Sequence, residues 1–133
     1  MSFELHVPQT FQLPATVAAD TEETWGWFKV HPDVGVMQLI SAFVWNAATI
    51  ADTTNFCTID IYNNTTSVSM AQASFAAVTA DVPLAMTIST TIANTKALPG
   101  AEIIIKKLDP GTGAAWTVPG SVSSWWILGG AKN

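Results

Sequence analysis

The chain closes on "SSWWILGGAKN", residues 123–133, with Trp125 and Trp126 side by side and Ile127 and Leu128 directly after them. Successive side chains of a β-strand point to opposite faces of its sheet. If this stretch is a strand, its two indoles cannot enter the same core. A fully buried Trp removes roughly 200 Å² from water. At about 25 cal/mol per Å² that is on the order of 5 kcal/mol, against the about 5–15 kcal/mol that holds a whole domain together. An indole left in water forgoes that gain and makes an adhesive patch. The last strand is therefore expected to be covered on both sides: by its own sandwich on one, and by the N-terminal segment or another subunit on the other.

Working back from the end, short runs of β-branched and aromatic residues recur between turn signals about ten residues apart, the spacing of an all-β sandwich or barrel. Residues 24–31, "TWGWFKVH", alternate and stop at Pro32-Asp33. Residues 36–46, "VMQLISAFVWN", place Leu39, Ser41, Phe43 and Trp45 on one face and Ile40, Ala42 and Val44 on the other, both apolar enough to be covered. In "NFCTIDIYNN", residues 55–64, Cys57, Ile59 and Ile61 oppose Thr58, Asp60 and Tyr62, and Asn63-Asn64 closes the strand because Asn tolerates positive φ. Softer strands follow in "SMAQASFAA" and "LAMTIST", then "AEIIIKKLD", "AAWTV" and "VSSWWIL", separated by Leu98-Pro99-Gly100, Asp109-Pro110-Gly111-Thr112-Gly113 and Pro119-Gly120. No stretch has a period of 3.6; the Ala-rich piece at 71–77 is the one helical candidate, weakened by Ser74, Val78 and Thr79. The pattern predicts an all-β fold: an antiparallel, jelly-roll-like β-sandwich of about eight strands, one domain over residues 24–133. An extended, irregular N-terminal arm is expected over residues 1–23, where Pro8 and Pro14 cannot donate to a ladder. An immunoglobulin-like topology lacks its Cys…Trp…Cys spacing.

Composition sharpens the functional reading. Of 133 residues, 49% are hydrophobic and only 11% charged, against about 25% charged in an ordinary soluble domain. Such a surface suits burial against other chains. All five cationic residues are Lys, and the net charge is −5. Without arginine forks for phosphate, no direct nucleic-acid partner is expected, and Lys106-Lys107 reads as a solvated strand end. The lone Cys57 excludes an intrachain disulfide or a cysteine metal cluster and reads as a small buried hydrophobe. "MSFELHV" lacks the basic region of a secretory signal, so cytoplasmic synthesis is expected. "VGVMQLISAFVW" is too short and too polar to span a bilayer, and no membrane partner is expected. The sequons at Asn63 and Asn64 read as turn residues.

Chemistry-bearing motifs are sparse. His6 and His31 belong to no recognisable pattern, and no zinc, nucleophile-elbow or phosphate-loop motif occurs. Asp20, Glu22 and Glu23 contain enough carboxylate for calcium but read better as a solvated loop. Asp52 and Asp60 have nothing to bring them together. No catalytic residue, metal ligand or cofactor is therefore assigned. The six tryptophans divide between core packing and contact surface, since aromatics concentrate at the centres of protein interfaces. The candidate contact residues are Phe3, Leu5, Val7, Phe11 and Leu13 in the arm, with Trp116, Trp125 and Trp126. A carbohydrate- or receptor-binding module, stacking sugars on Trp and Tyr62, is the alternative; a small hydrolase or isomerase would need a pocket with His31 beside an acid.

The layout "FCTIDIYNNTTSVS…ADVPLAMTIS…LPGAEIIIKKLDPGTGAAWTVPGSVSSWWIL" resembles the small jelly-roll cement or decoration proteins of tailed bacteriophage capsids. The resemblance covers residues 36–129 and lies in the elements at Thr58–Asn63, Leu98–Ile105 and Gly111–Leu128; residues 1–23 have no counterpart. It implies a structural virion protein on the outer surface of the head, assembled in the host cytoplasm, that clamps neighbouring major capsid protein subunits. It also implies self-association, which we expect as a homodimer ahead of a homotrimer. The tryptophan-rich last strand departs from the family pattern.

Overall fold

The computed structural model describes residues 5–14, 22–45, 58–75, 79, 81–108 and 120–128. Its strands are β1 (Leu5–Gln12), β2 (Glu23–Lys29), β3 (Met37–Trp45), β4 (Thr58–Asn63), β5 (Val68–Ser74), β6 (Leu84–Ala85), β7 (Thr87–Ile88), β8 (Lys96–Ala97), β9 (Glu102–Leu108) and β10 (Ser121–Leu128), with a 3-10 turn at Ile92–Thr95. They form two antiparallel sheets. The first runs β1-β10-β3-β6 with β8 also on β3, and the second runs β2-β9-β4-β5-β7. The pairs are nested, β1 with β10, β2 with β9, β3 with β6 and β8, β4 with β5. Such nesting is the winding of a jelly roll, as the strand spacing predicted. The strand expected at 114–118 lies outside the described residues, as does Cys57.

The N-terminal segment is extended but not irregular: from Leu5 to Gln12 it is a full edge strand on β10. Its register explains how Pro8 is tolerated. Leu13 N–H donates to the Gly120 carbonyl, continuing the ladder, while the Thr10 carbonyl accepts from Trp27 Nε1 of the other sheet. Odd-numbered residues thus bond β10 and even-numbered ones face the free edge. Pro8 falls on the edge strand where its missing N–H faces outward, a position at which a sheet accepts proline.

Alternation then sorts the side chains. Leu39, Val44, Ile59, Ile61, Ile103, Ile105, Val122 and Trp126 meet between the sheets, with Leu13 and Phe75. Three bulges change the face pattern that strict alternation predicts; in β5 Met70 has no partner on β4 and is buried together with its neighbour Ala71. In β3, Trp125 pairs with Ser41 but Trp126 with Leu39, leaving Ile40 unmatched. Leu39 and Ala42 are therefore both buried and Ile40 is exposed; the expected grouping of Leu39 with Phe43 and Trp45, and of Ile40 with Ala42 and Val44, fails at that residue. In β2 the register skips Trp27 between Gly26 and Phe28, so Trp25, Trp27 and Phe28 all pack on the core.

Three further expectations meet the structure. Lys106 lies on the outer face with its Nζ 3.7 Å from the Tyr62 ring centre, whereas Lys107 is 0% exposed; alternation places it on the face of Ile103 and Ile105, so the pair is not a solvated strand end. Leu98-Pro99-Gly100-Ala101 is the tight turn expected, with Gly100 at φ 85° and Ala101 N–H donating to the Leu98 carbonyl. The turn after β4 uses Asn63 otherwise than predicted: its Oδ1 accepts from the Thr65 and Thr66 N–H groups, and positive φ falls on Ser67.

Trp126 is 0% exposed, with Phe28 edge-on at 5.5 Å. Its indole N–H donates to Ser124 Oγ at 2.8 Å, and that hydroxyl donates to the Gln9 carbonyl at 2.9 Å. One small hydroxyl thus satisfies the core's largest side chain and ties it to β1. Ser124→Ala leaves a buried donor unpaired and should cost about 1–3 kcal/mol, read as a lowered urea midpoint at unchanged slope.

Candidate functional site

The outer face of the first sheet is built by the two strands at its centre. Outward along β10 come Ser121, Ser123, Trp125 and Ile127, and outward along β3 come Gln38, Ile40, Ser41, Phe43 and Trp45. Ile40, Phe43, Trp45 and Trp125 are exposed, Trp125 by 45%. None of these nine side chains is charged. Pro8 of β1 stands opposite Trp125 in a non-hydrogen-bonded pair, the type that brings side chains closest. Ile127 is buried between His6 and Gln38 in the ladder, and Ala85 of β6 borders Phe43. Large exposed apolar residues in a row on a regular sheet mark a contact surface rather than scatter.

The eight candidate contact residues separate accordingly. Trp125 and Leu5 are exposed. Trp126 and Leu13 are core and are corrected as contact residues: alternation turns Trp126 inward, and Leu13 is drawn in by its ladder bond to Gly120. Val7 is half-buried. Phe11 is half-buried too, with its ring 6.2 Å from Trp25 and 6.1 Å from Trp27, so it closes the sandwich between β1 and β2. Phe3 and Trp116 lie outside the described residues. Sequence reading missed Ile40, Phe43 and Trp45: Phe43 and Trp45 stand opposite Ser123 and Ser121 and Ile40 has no partner, a register that the sequence does not display.

The second sheet's outer face is polar. At its centre Asp60, 2% exposed, accepts from Ser69 Oγ at 2.6 Å and from Gln72 Nε2 at 3.4 Å. Lys106 is its ladder partner on β9. Ser69 and Gln72 also line an open groove of about 470 Å³ with Thr87, Ser89 and Asn94. Burial pushes the Asp60 carboxyl above its ordinary value, opposed by the Ser69 and Gln72 bonds and the Lys106 charge.

His31 does lie beside an acid, with Nδ1 3.8 Å from Asp33 Oδ2, but both side chains stand in solvent on a turn, at 67% and 92% exposure, and neither lines the groove. Glu22 is exposed and Glu23 opens β2; Asp20 and Asp52 lie outside the described residues. Among the described residues no three His, Cys, Asp or Glu side chains are grouped to hold a metal ion, and no helix is long and apolar enough to cross a membrane. Comparison with known proteins finds no matching family model, no matching curated sequence and no matching solved structure.

The Asp60 environment has a testable sign. The folded chain holds this proton more tightly than the unfolded chain, whose carboxyl titrates near 3.8. As pH rises from below that value through the raised folded one, the unfolded state sheds its proton first, so this group's contribution to stability falls and then levels. Asp60→Asn should remove that decline. In urea unfolding from about pH 3.5 to 7, stability of the wild type relative to the variant should drop with rising pH; a rising difference would contradict the assignment.

Proposed function

We propose that this chain is a structural assembly protein, a capsid cement or decoration protein that binds the outer surface of a phage head and stabilises contacts between major capsid protein subunits. The observation that carries the reading is the uncharged aromatic face of Ile40, Phe43, Trp45 and Trp125 at the centre of a sheet. A protein that works by burying area needs such a face, and it needs sheet edges that do not recruit strands at random. The free edge of β1 carries Pro8, β2 is bulged at Trp27, and β6, β7 and β8 are two residues long. Contact is thereby directed to faces. The net charge of −5 suits a place outside the shell, away from packaged DNA, and the resemblance to decoration proteins supplies the shell as partner. No reaction and no cofactor enter this reading.

Exposed indoles beside serine hydroxyls also suit a sugar platform, but Tyr62 lies on the opposite sheet under Lys106 and extends no such platform. In virions of the source, the protein should be present at a fixed ratio to the shell protein. Trp125→Ser should leave the chain folded and lower that ratio. Absence from virions, or a glycan-array signal lost with Trp125, would overturn the proposal in favour of another role.

A further inference from the structure

We infer that the aromatic face is a two-fold contact between two copies of this chain, with the axis parallel to the strands and between β3 and β10. The inference rests on the assembly reading and assigns this face to a second copy, so the face serves attachment to the shell through the dimer it forms and not by touching the shell itself. Its ground is the size pattern of the cross-strand pairs. Trp45 stands opposite Ser121 and Phe43 opposite Ser123, and then the order inverts, with Trp125 opposite Ser41. All three pairs lie on the Trp45 side of the Ile40 bulge, and within them the large residue passes from β3 at Trp45 and Phe43 to β10 at Trp125. A half-turn about the stated axis keeps each residue's height along the strands and exchanges β3 with β10. Each aromatic of one copy then lies over the serine of its own pair on the other: Trp45 over Ser121, Phe43 over Ser123, Trp125 over Ser41. Ridge meets trough at these three pairs, the self-complementarity that a two-fold interface requires, while Ile127 and Gln38 pair without a large-small contrast and Ile40 has no cross-strand partner. The direction of the strands is preserved across the contact, which is aligned sheet-on-sheet packing with its modest twist.

Charge and area agree with a second copy. The chain carries a net charge of −5, yet β3 and β10 contain no charged residue, so like copies meet there without opposing charges at the contact. A charged partner surface would lose its hydration and gain no ion pair. The four exposed side chains present roughly 300 Å² of apolar surface. A stable interface buries about 800 Å² on each partner, so the serine troughs and the Pro8, Gln38 and Ala85 borders must be covered as well. Interleaved packing covers them, and a dimer of moderate, concentration-dependent affinity is expected.

The test exchanges ridge and trough. The purified chain is examined by sedimentation velocity over a range of concentrations, with near-ultraviolet circular dichroism as the check on folding. The wild type should be a dimer. Phe43→Ser removes a ridge and Ser123→Phe fills a trough, and each should weaken dimerisation by about tenfold or more. The double variant Phe43→Ser/Ser123→Phe restores large-over-small packing at the same pair and should recover most of the lost affinity. A monomeric wild type, single variants that dimerise unchanged, or a folded double variant no better than the singles would each overturn the inference. Virion content is measured separately. A monomeric chain still present at a fixed ratio in virions overturns the two-fold contact and leaves the cement role standing; a dimer absent from virions does the reverse.

Discussion

The alternation of β10 is the constraint from which the rest of the molecule follows. Trp126 is too large to be left out of a core this small, and once it is committed inward, the period of two sends Trp125 to the opposite face. The inward commitment is held by three different contacts: the Phe28 ring edge-on, the Ser124 hydroxyl on the indole nitrogen, and through that hydroxyl the Gln9 backbone of β1. The last of these also recruits the N-terminal segment as an edge strand, so one buried indole organises β1, β10 and the facing β2.

Against this fixed strand, the bulges decide what the other faces hold. A one-residue slip reverses the face of every side chain beyond it. At Ile40 the slip lets Leu39 and Ala42 both enter the core and places Phe43 and Trp45 outside beside Trp125. At Trp27 a slip works in the other direction, gathering Trp25, Trp27 and Phe28 against the core, where Phe11 joins them. Bulges of this kind are conformational features that redirect side chains. Here they produce a sandwich with one aromatic outer face and one polar outer face.

That asymmetry gives the functional proposal its physical content. The polar face carries a buried carboxylate held by Ser69 and Gln72, a lysine over a tyrosine and an open groove lined in part by hydroxyl and amide groups, so these polar groups are met without another chain. The aromatic face carries groups that water does not satisfy. The proline-bearing, bulged or very short edges leave the faces as the places where another chain can be held, and the aromatic one gains most from being covered.

The sequence by itself determined the all-β class, the five longer strands β2, β3, β4, β5, β9 and the last strand β10 to within a few residues, the Leu98–Ala101 turn, and the fact that Trp125 and Trp126 must part; it did not show β8, nor that "LAMTIST" divides into β6 and β7 on different sheets. These follow from short-range rules: period two, turn chemistry, and the size of an indole. It did not determine which indole is inside, that residues 5–12 would join the sheet, or that Phe43 and Trp45 would share the outer face with Trp125. Pro8 looked prohibitive because an edge position is a property of the whole sheet and cannot be seen from the residue. Likewise the bulge at Ile40 has no local signature, whereas the one at Trp27 is marked by Gly26, since a glycine inside a strand is a cue for a bulge. Face assignment beyond such a point depends on the partner strand, and only the tertiary pairing supplies it.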